Sequence, residues 1–195
     1  DLLVWYHLAW MGETVRRSNL LVKQLMAKGT GFTLHDRRQL LKLIGELLSS
    51  VIDRYRELAE KGQIELSMTP YAHPILPLLL DLDTARDAMP DVAMPQLQAY
   101  PGGEERVDWH IKEGLDTFEQ YFGMRPVGCW PSEGGVSATA LQKLEEHGFT
   151  WAASGESVFR HSQANKENAS LAGGSLYQGF TVAGGELACF FRDDG

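Results

Sequence analysis

Apolar positions recur along the chain in two rhythms, and the elements follow from them. Residues 2–8, Leu2-Leu3-Val4-Trp5-Tyr6-His7-Leu8, form a continuous apolar and aromatic run that predicts a short buried strand. The stretch from Asn19 to Met26 has helical spacing and stops at Gly29. Thr33 and Asp36 resemble a capping box whose acid is one methylene short. They open a long predicted helix with Leu40, Leu41, Ile44, Leu47, Leu48, Val51, Ile52, Tyr55 and Leu58 on one stripe. Gly45 lies inside it at a cost of about 1 kcal/mol relative to Ala, which so long a stripe absorbs. Gly62 ends that helix, and Ile64–Met68 predicts a strand.

Further on, Pro70, Pro74 and Pro77 mark a turn and the start of a short helix. Met89 to Gly103, rich in Pro and Gly, predicts a loop. A helix from about Glu104 to Tyr121, a strand Val127–Trp130, a helix Ala138–Glu146 and a strand Phe149–Ala153 follow. Residues 154–173 are polar and predict a surface excursion of the kind that covers a site. Tyr177–Val182 and Leu187–Phe191, joined through Ala183-Gly184-Gly185, predict a hairpin. Strands alternating with helices place the chain in the α/β class, with a parallel sheet. Polar or aromatic residues fall near the predicted strand ends: His7 after Trp5, Glu65 with Ser67, Glu133 after Trp130, Ser154 after Trp151. Parallel sheets and barrels assemble their sites at the C-terminal edge.

Composition narrows the classes. At 195 residues, with 44% hydrophobic and 23% charged, the chain is long enough for one sizeable core and too apolar for disorder. A formal net charge of −8 and no basic patch argue against a nucleic-acid partner. No apolar run is long enough to span a bilayer, so no membrane partner is expected. Cys129 and Cys189 have no metal or disulfide spacing; they read as reduced core residues, which points to the cytoplasm. The chain begins on a strand-like run without Met and stops at Phe190-Phe191-Arg192-Asp193-Asp194-Gly195, as though cut at both ends from a larger domain.

The candidate chemistry centres on Cys129-Trp130-Pro131-Ser132-Glu133-Gly134-Gly135-Val136-Ser137. Pro131 restrains the chain and Gly134-Gly135 let it turn, so Glu133 would stand at a strand-to-helix junction. The amides of the helix starting near Ser137 would favour a negative group there. The plainer alternative makes Glu133 a solvated helix-start residue. Asp193-Asp194, where another strand emerges, read either as a solvated turn or as a second carboxylate. Retaining glycoside hydrolysis needs two carboxyl groups roughly 5–5.5 Å apart, on strands that converge at one rim. Trp5, Trp10, Trp130 and Trp151 are either core fillers or flat faces for pyranose rings. His73 is a candidate hydroxyl donor or metal ligand, or a packing residue in a turn.

Three pieces carry a resemblance: Gly62-Gln63-Ile64-Glu65-Leu66-Ser67-Met68-Thr69-Pro70-Tyr71-Ala72-His73-Pro74-Ile75-Leu76-Pro77, then Trp130-Pro131-Ser132-Glu133-Gly134-Gly135-Val136-Ser137, then Phe190-Phe191-Arg192-Asp193. In order and spacing they resemble successive signature regions of glycoside hydrolase family 57, over nearly the whole chain. The resemblance implies a single partial catalytic domain over 1–195, an incomplete seven-fold (β/α) barrel truncated at both ends, acting by retention on an α-glucan or maltooligosaccharide. It implies Glu133 as nucleophile and Asp193 as acid/base, with Asp194 the fallback. Glu65 and His73 would line the sugar site and Trp130 would precede the nucleophile; from their positions near predicted strand ends, His7, Trp5, Trp10 and Trp151 are further candidate substrate contacts. No cofactor and no metal are expected. The chain departs from the pattern where a His-Gln-Pro region would precede it, in the truncated continuation after Arg192-Asp193, and at Gly155-Glu156, where relatives commonly carry Asp-Glu.

In that mechanism Asp193 must be protonated first. Burial beside Phe190 and Phe191, with Glu133 negative nearby, is expected to raise its pKa, while strand alternation turns Arg192 to the opposite face. Two rivals remain open. One is a metal-dependent carbohydrate deacetylase or α-mannosidase-like barrel with His7, His73 and an aspartate as ligands, against which the lack of an Asp-Asp or His-x-x-x-His pair at a strand end near the start argues. The other is a non-catalytic glucan-binding fragment. Hydrolysis, transfer and branching, and the oligomeric state, are not separated by these motifs.

Overall fold

The computed structural model describes residues 1–97, 99–164, 175–181 and 184–195. The last part of the predicted polar excursion (165–173) and the hairpin residues Val182 and Ala183 lie outside them. The chain packs as two compact units, Asp1–Tyr55 and Arg56–Gly195.

The first unit is helical. Its opening run is a helix, α1 Leu2–Trp10, not a strand. The reason lies in the spacing: Val4 and Leu8, four residues apart, are the buried pair, and Met11 continues the same face. After α2 Glu13–Ser18, the Asn19 side chain accepts from the Val22 amide and caps α3 Leu20–Lys28. The expected capping box is present at Thr33 and Asp36 and opens α4 Leu34–Ser49. Lys28 Nζ stands 2.5 Å from Asp36 Oδ2, and with the Thr33 bonds it lowers the Asp36 pKa to about 2. Val4, Leu8, Met11, Val22, Leu25 and Leu40 form the core.

The long predicted helix is interrupted after α4 at Ser50, and α5 Val51–Glu60 carries the chain across the unit boundary. The Ser49 hydroxyl bonds the Gly45 carbonyl and the Ser50 hydroxyl the Leu47 carbonyl, competing with the backbone ladder at the break. Of the predicted stripe only Leu40 is fully buried; Leu41, Leu48, Val51, Tyr55 and Leu58 are exposed.

The second unit is α/β. Its strands are β1 Ser67–Met68, β2 Gly128–Cys129, β3 Trp151–Gly155, β4 Phe180–Thr181 and β5 Ala188–Arg192. They form a mixed sheet in the order β1-β2-β3-β5-β4. β1, β2, β3 and β5 run parallel, and β4 pairs antiparallel with β5 as the hairpin predicted. Between the strands lie α6 Leu76–Leu80, α7 Ala85–Ala88, α8 Gly103–Phe122, α9 Ala138–Glu146 and α10 Glu156–Ala164.

Several strand limits differ from expectation. Only Ser67–Met68 of the 64–68 run pairs, and β3 starts two residues later than predicted, at Trp151. The predicted excursion begins instead as the end of β3 and the helix α10. Leu76, Ile111, Leu115, Leu144, Ala152 and Cys189 belong to the core between sheet and helices. Both cysteines are free and buried, as read from the sequence. Among the described residues no helix is long and apolar enough to cross a membrane.

Candidate active site

Because β1, β2, β3 and β5 are parallel, the segments leaving them share one edge of the sheet. Tyr71-Ala72-His73 follow β1, Trp130 to Glu133 follow β2, Glu156 follows β3, and Asp193-Asp194 follow β5. Among the described residues, the non-glycine residues with positive φ are Ala72 (58°), His73 (59°) and Glu133 (55°). All of them leave that edge, and His73 Nε2 lies 3.9 Å from Glu133 Oε1. A left-handed conformation costs an L-residue about 1–2 kcal/mol, so this junction concentrates backbone strain between two polar side chains.

The Glu133 turn is built by its neighbours. Residues Ser132–Gly134 make one 3-10 turn, with Gly134 N donating to Pro131 O at 2.8 Å. Gly134 itself has φ +66°, which glycine alone adopts without strain. From β3 the buried Ser154 hydroxyl donates to the Gly134 carbonyl at 2.5 Å and ties the turn to the sheet. Ser137 then caps α9 by accepting from the Ala140 amide. The Glu133 side chain is 77% exposed, so the carboxylate stands open to a ligand rather than in the core. Beside it the Ser132 hydroxyl is buried with no hydrogen-bond partner among the described residues.

Trp130 leaves β2 with its amide donating to Met68 O at 2.8 Å, and the Arg192 guanidinium lies 5.3 Å from its ring centroid. Arg192 also clasps Asp194, with Nε 2.8 Å and Nη2 2.7 Å from one carboxylate oxygen. Glu156 accepts from the Asp194 amide at 3.2 Å. Asp193 has different partners: its carboxylate accepts from the Tyr177 hydroxyl at 2.7 Å and from the Gly195 amide at 3.0 Å. Arg192 thus faces away from Asp193, as alternation predicts.

The expected rise in the Asp193 pKa does not occur. The Tyr177 bond first, then the Gly195 amide, hold its carboxyl below the usual range, and Tyr177 is raised in return. Asp193 is exposed and Phe190 half so, and the desolvation invoked for the shift is therefore weak.

Other nominated residues are placed elsewhere. Glu65 precedes β1 and Trp151 begins β3, which puts them at the opposite edge from Glu133. There the Trp151 indole donates to Glu65 at 2.6 Å, and its ring lies so close to Gly128 that an added Cβ would stand 2.0 Å from it. His7, Trp5 and Trp10 lie on α1 rather than at a strand end. The Trp5 indole donates to Gly29 O at 2.7 Å, while His7 and Trp10 line a cleft of about 220 Å3 within the first unit, with Met11, Val15, Ile44 and Leu47. Among the described residues no group of three or more His, Cys, Asp or Glu is placed to hold a metal ion.

Sequence reasoning passed over Ser154 as a brace and Tyr177 as the partner of Asp193. Ser154 was visible as the one polar residue in an otherwise apolar strand. Nothing local to Tyr177 announced its partner, sixteen residues away.

The profile of Glycosyl hydrolase family 57 matches residues 4–195. Over 106 residues the chain is 26% identical to a 1,4-alpha-glucan branching enzyme of Thermococcus kodakarensis, covering 54% of this chain and 12% of the relative. Among solved structures, the alpha-amylase AmyC of Thermotoga maritima aligns over 98% of this chain and 30% of its own, with a TM-score of 0.54 at 16% identity. The branching enzyme of Pyrococcus horikoshii aligns over 99% of this chain and 31% of its own, with a TM-score of 0.53 at 15% identity. The chain thus spans an eighth to a third of the length of these relatives.

Proposed function

Because the chain belongs to glycosyl hydrolase family 57, we propose that the C-terminal edge of its sheet is part of the active site of a retaining enzyme on α-linked glucans, in a catalytic domain built as an incomplete (β/α) barrel. The observation that carries this reading is the strained junction of His73 and Glu133, 3.9 Å apart at the ends of adjacent parallel strands. Strain of this kind persists where surrounding structure over-determines it, and here it presents an exposed carboxylate on a braced turn. The Thermococcus relative is named a 1,4-alpha-glucan branching enzyme, which agrees with that substrate class.

In this reading Glu133 attacks the anomeric carbon as the glycosidic C–O bond breaks, and Asp193 gives its proton to the leaving oxygen. Water or an acceptor hydroxyl then loses a proton to Asp193 and displaces Glu133, so two inversions restore the α-configuration. Asp193 suits the proton role better than Asp194. Asp194 is already engaged by the Arg192 guanidinium, whereas the Tyr177 hydroxyl on Asp193 can turn from donor to acceptor once Asp193 is protonated.

Replacing Glu133 by Gln in the intact protein should lower turnover of maltooligosaccharides by on the order of a thousandfold or more, with glucan binding retained. NMR of the first product formed by the unsubstituted protein should detect the α-anomer. Near-normal turnover in Glu133→Gln, or a β-anomeric first product, overturns the assignment.

A further inference from the structure

We propose that Tyr71 and Trp109 form an aromatic platform that takes a sugar ring of the glucan beside the Glu133 site, an inference that rests on the function proposed above. Trp109 lies on α8, whose buried face carries Val107, Ile111, Leu115 and Phe118. Two residues beyond Val107, Trp109 is turned roughly 160° away from that face, and it is 51% exposed. Its ring meets that of Tyr71, 42% exposed, edge to face with centroids 5.7 Å apart.

The platform is tied to the candidate site by backbone as well as side chain. α8 is the crossover that returns from β1 to β2, so its early turns lie beside the C-terminal ends of the strands. His110, next to Trp109, accepts from the Tyr71 amide at 3.1 Å through its carbonyl. The His110 ring contacts the Tyr71 carbonyl at 2.7 Å, and because a carbonyl only accepts, Nδ1 carries the proton. Gly114 lets helix and strand approach this closely, since a Cβ there would meet Met68 Cε at 2.7 Å and the Tyr71 amide at 3.2 Å. Tyr71 is therefore held on both sides of its peptide plane. Two residues later stands His73, within about 7 Å of extended backbone, against Glu133.

The occupant follows from what the neighbouring aromatics leave free. Trp130 has Arg192 over its ring, and Trp151 is committed to Gly128 and Glu65 at the far edge. Trp109 also meets the His110 ring edge to face at 4.8 Å, yet Tyr71 and Trp109 keep 42% and 51% of their surface exposed, with a hydroxyl and an indole N–H at their rims, the chemistry that suits a pyranose face and its equatorial hydroxyls.

The test is calorimetric titration of maltooligosaccharides of two to seven glucose units into the intact Glu133→Gln protein, alone and with Trp109→Ala added. Tyr121→Ala, an exposed aromatic near the end of the same helix, is the control. With Trp109→Ala, longer oligosaccharides should bind about tenfold more weakly and the gain of affinity with chain length should flatten, with Trp109→Phe restoring most of it. Tyr121→Ala should leave the curve unchanged, and circular dichroism should report equal helix in all variants. Equal affinities at every length with and without Trp109 overturn the platform. If Glu133→Gln alone abolishes turnover in that case, the proposed function still stands, so the two failures are separable. No binding of any oligosaccharide by the unsubstituted protein overturns both.

Discussion

In the proposed mechanism Asp193 must start as the acid, whereas in the structure the Tyr177 hydroxyl donates to it and favours the carboxylate. Its protonation is opposed first by the Tyr177 phenol and second by the Gly195 amide. Replacing Tyr177 by Phe removes the donor, and the Asp193 pKa should rise toward the ordinary carboxylate value. The acid must be protonated for turnover, so the alkaline limb of the kcat/KM profile should move to higher pH in Tyr177→Phe. A limb that stays in place or moves down would separate Tyr177 from the chemistry. The two adjacent aspartates can be distinguished as well. Asp193→Asn should cost turnover on the scale of Glu133→Gln, while Asp194→Asn removes only a carboxylate already matched by Arg192 and should be far milder in steady-state rate.

At the scale of elements, local chemistry was readable and pairing was not. Thr33 and Asp36 specify their cap within four residues, and Asn19, Gly29 and Ser137 likewise mark helix limits that the structure keeps. The cap can be tested by pH. The folded Asp36 pKa is lowered to about 2 from an ordinary 3.8, so its contribution is complete above the unfolded value and is lost as pH falls through the folded one. Thermal melts between pH 5 and 2 should show this loss, and Asp36→Asn should flatten it. Strand limits failed because they depend on neighbours: Ile64-Glu65-Leu66 has strand composition, yet only Ser67 and Met68 face Gly128 and Cys129. Residues 2–8 failed because a short apolar run carries no period of its own, and only the burial of Val4 and Leu8 decides for a helix. In the site, the Glu133 turn was legible from Pro131 and the paired glycines. The strain at Ala72 and His73 was not, because neither residue type announces a left-handed backbone.

Across the whole molecule, each unit closes a core of its own, and both thiols lie in the second. Cys129 and Cys189 sit on parallel strands on either side of Ala152, and burial pushes their pKa values up to about 12 and about 11. At pH 8 neither is a nucleophile while the sheet is closed, since only the thiolate reacts. Thiol labelling therefore reads the opening of the α/β unit, independently of the helices of the first. Leu144 is fully buried on α9 in the same core. Leu144→Ala should cost about 3 kcal/mol in cavity and transfer terms. If labelling follows the open population, that loss raises its rate under native conditions by roughly a hundredfold. An aromatic disulfide reagent at fixed pH, followed by absorbance, measures this directly. Fast reaction of the unsubstituted protein, or a Leu144→Ala rate that does not change, would mean that the sheet carrying Glu133 is not closed over its thiols, and the rigid edge on which the proposed chemistry depends would be lost with it.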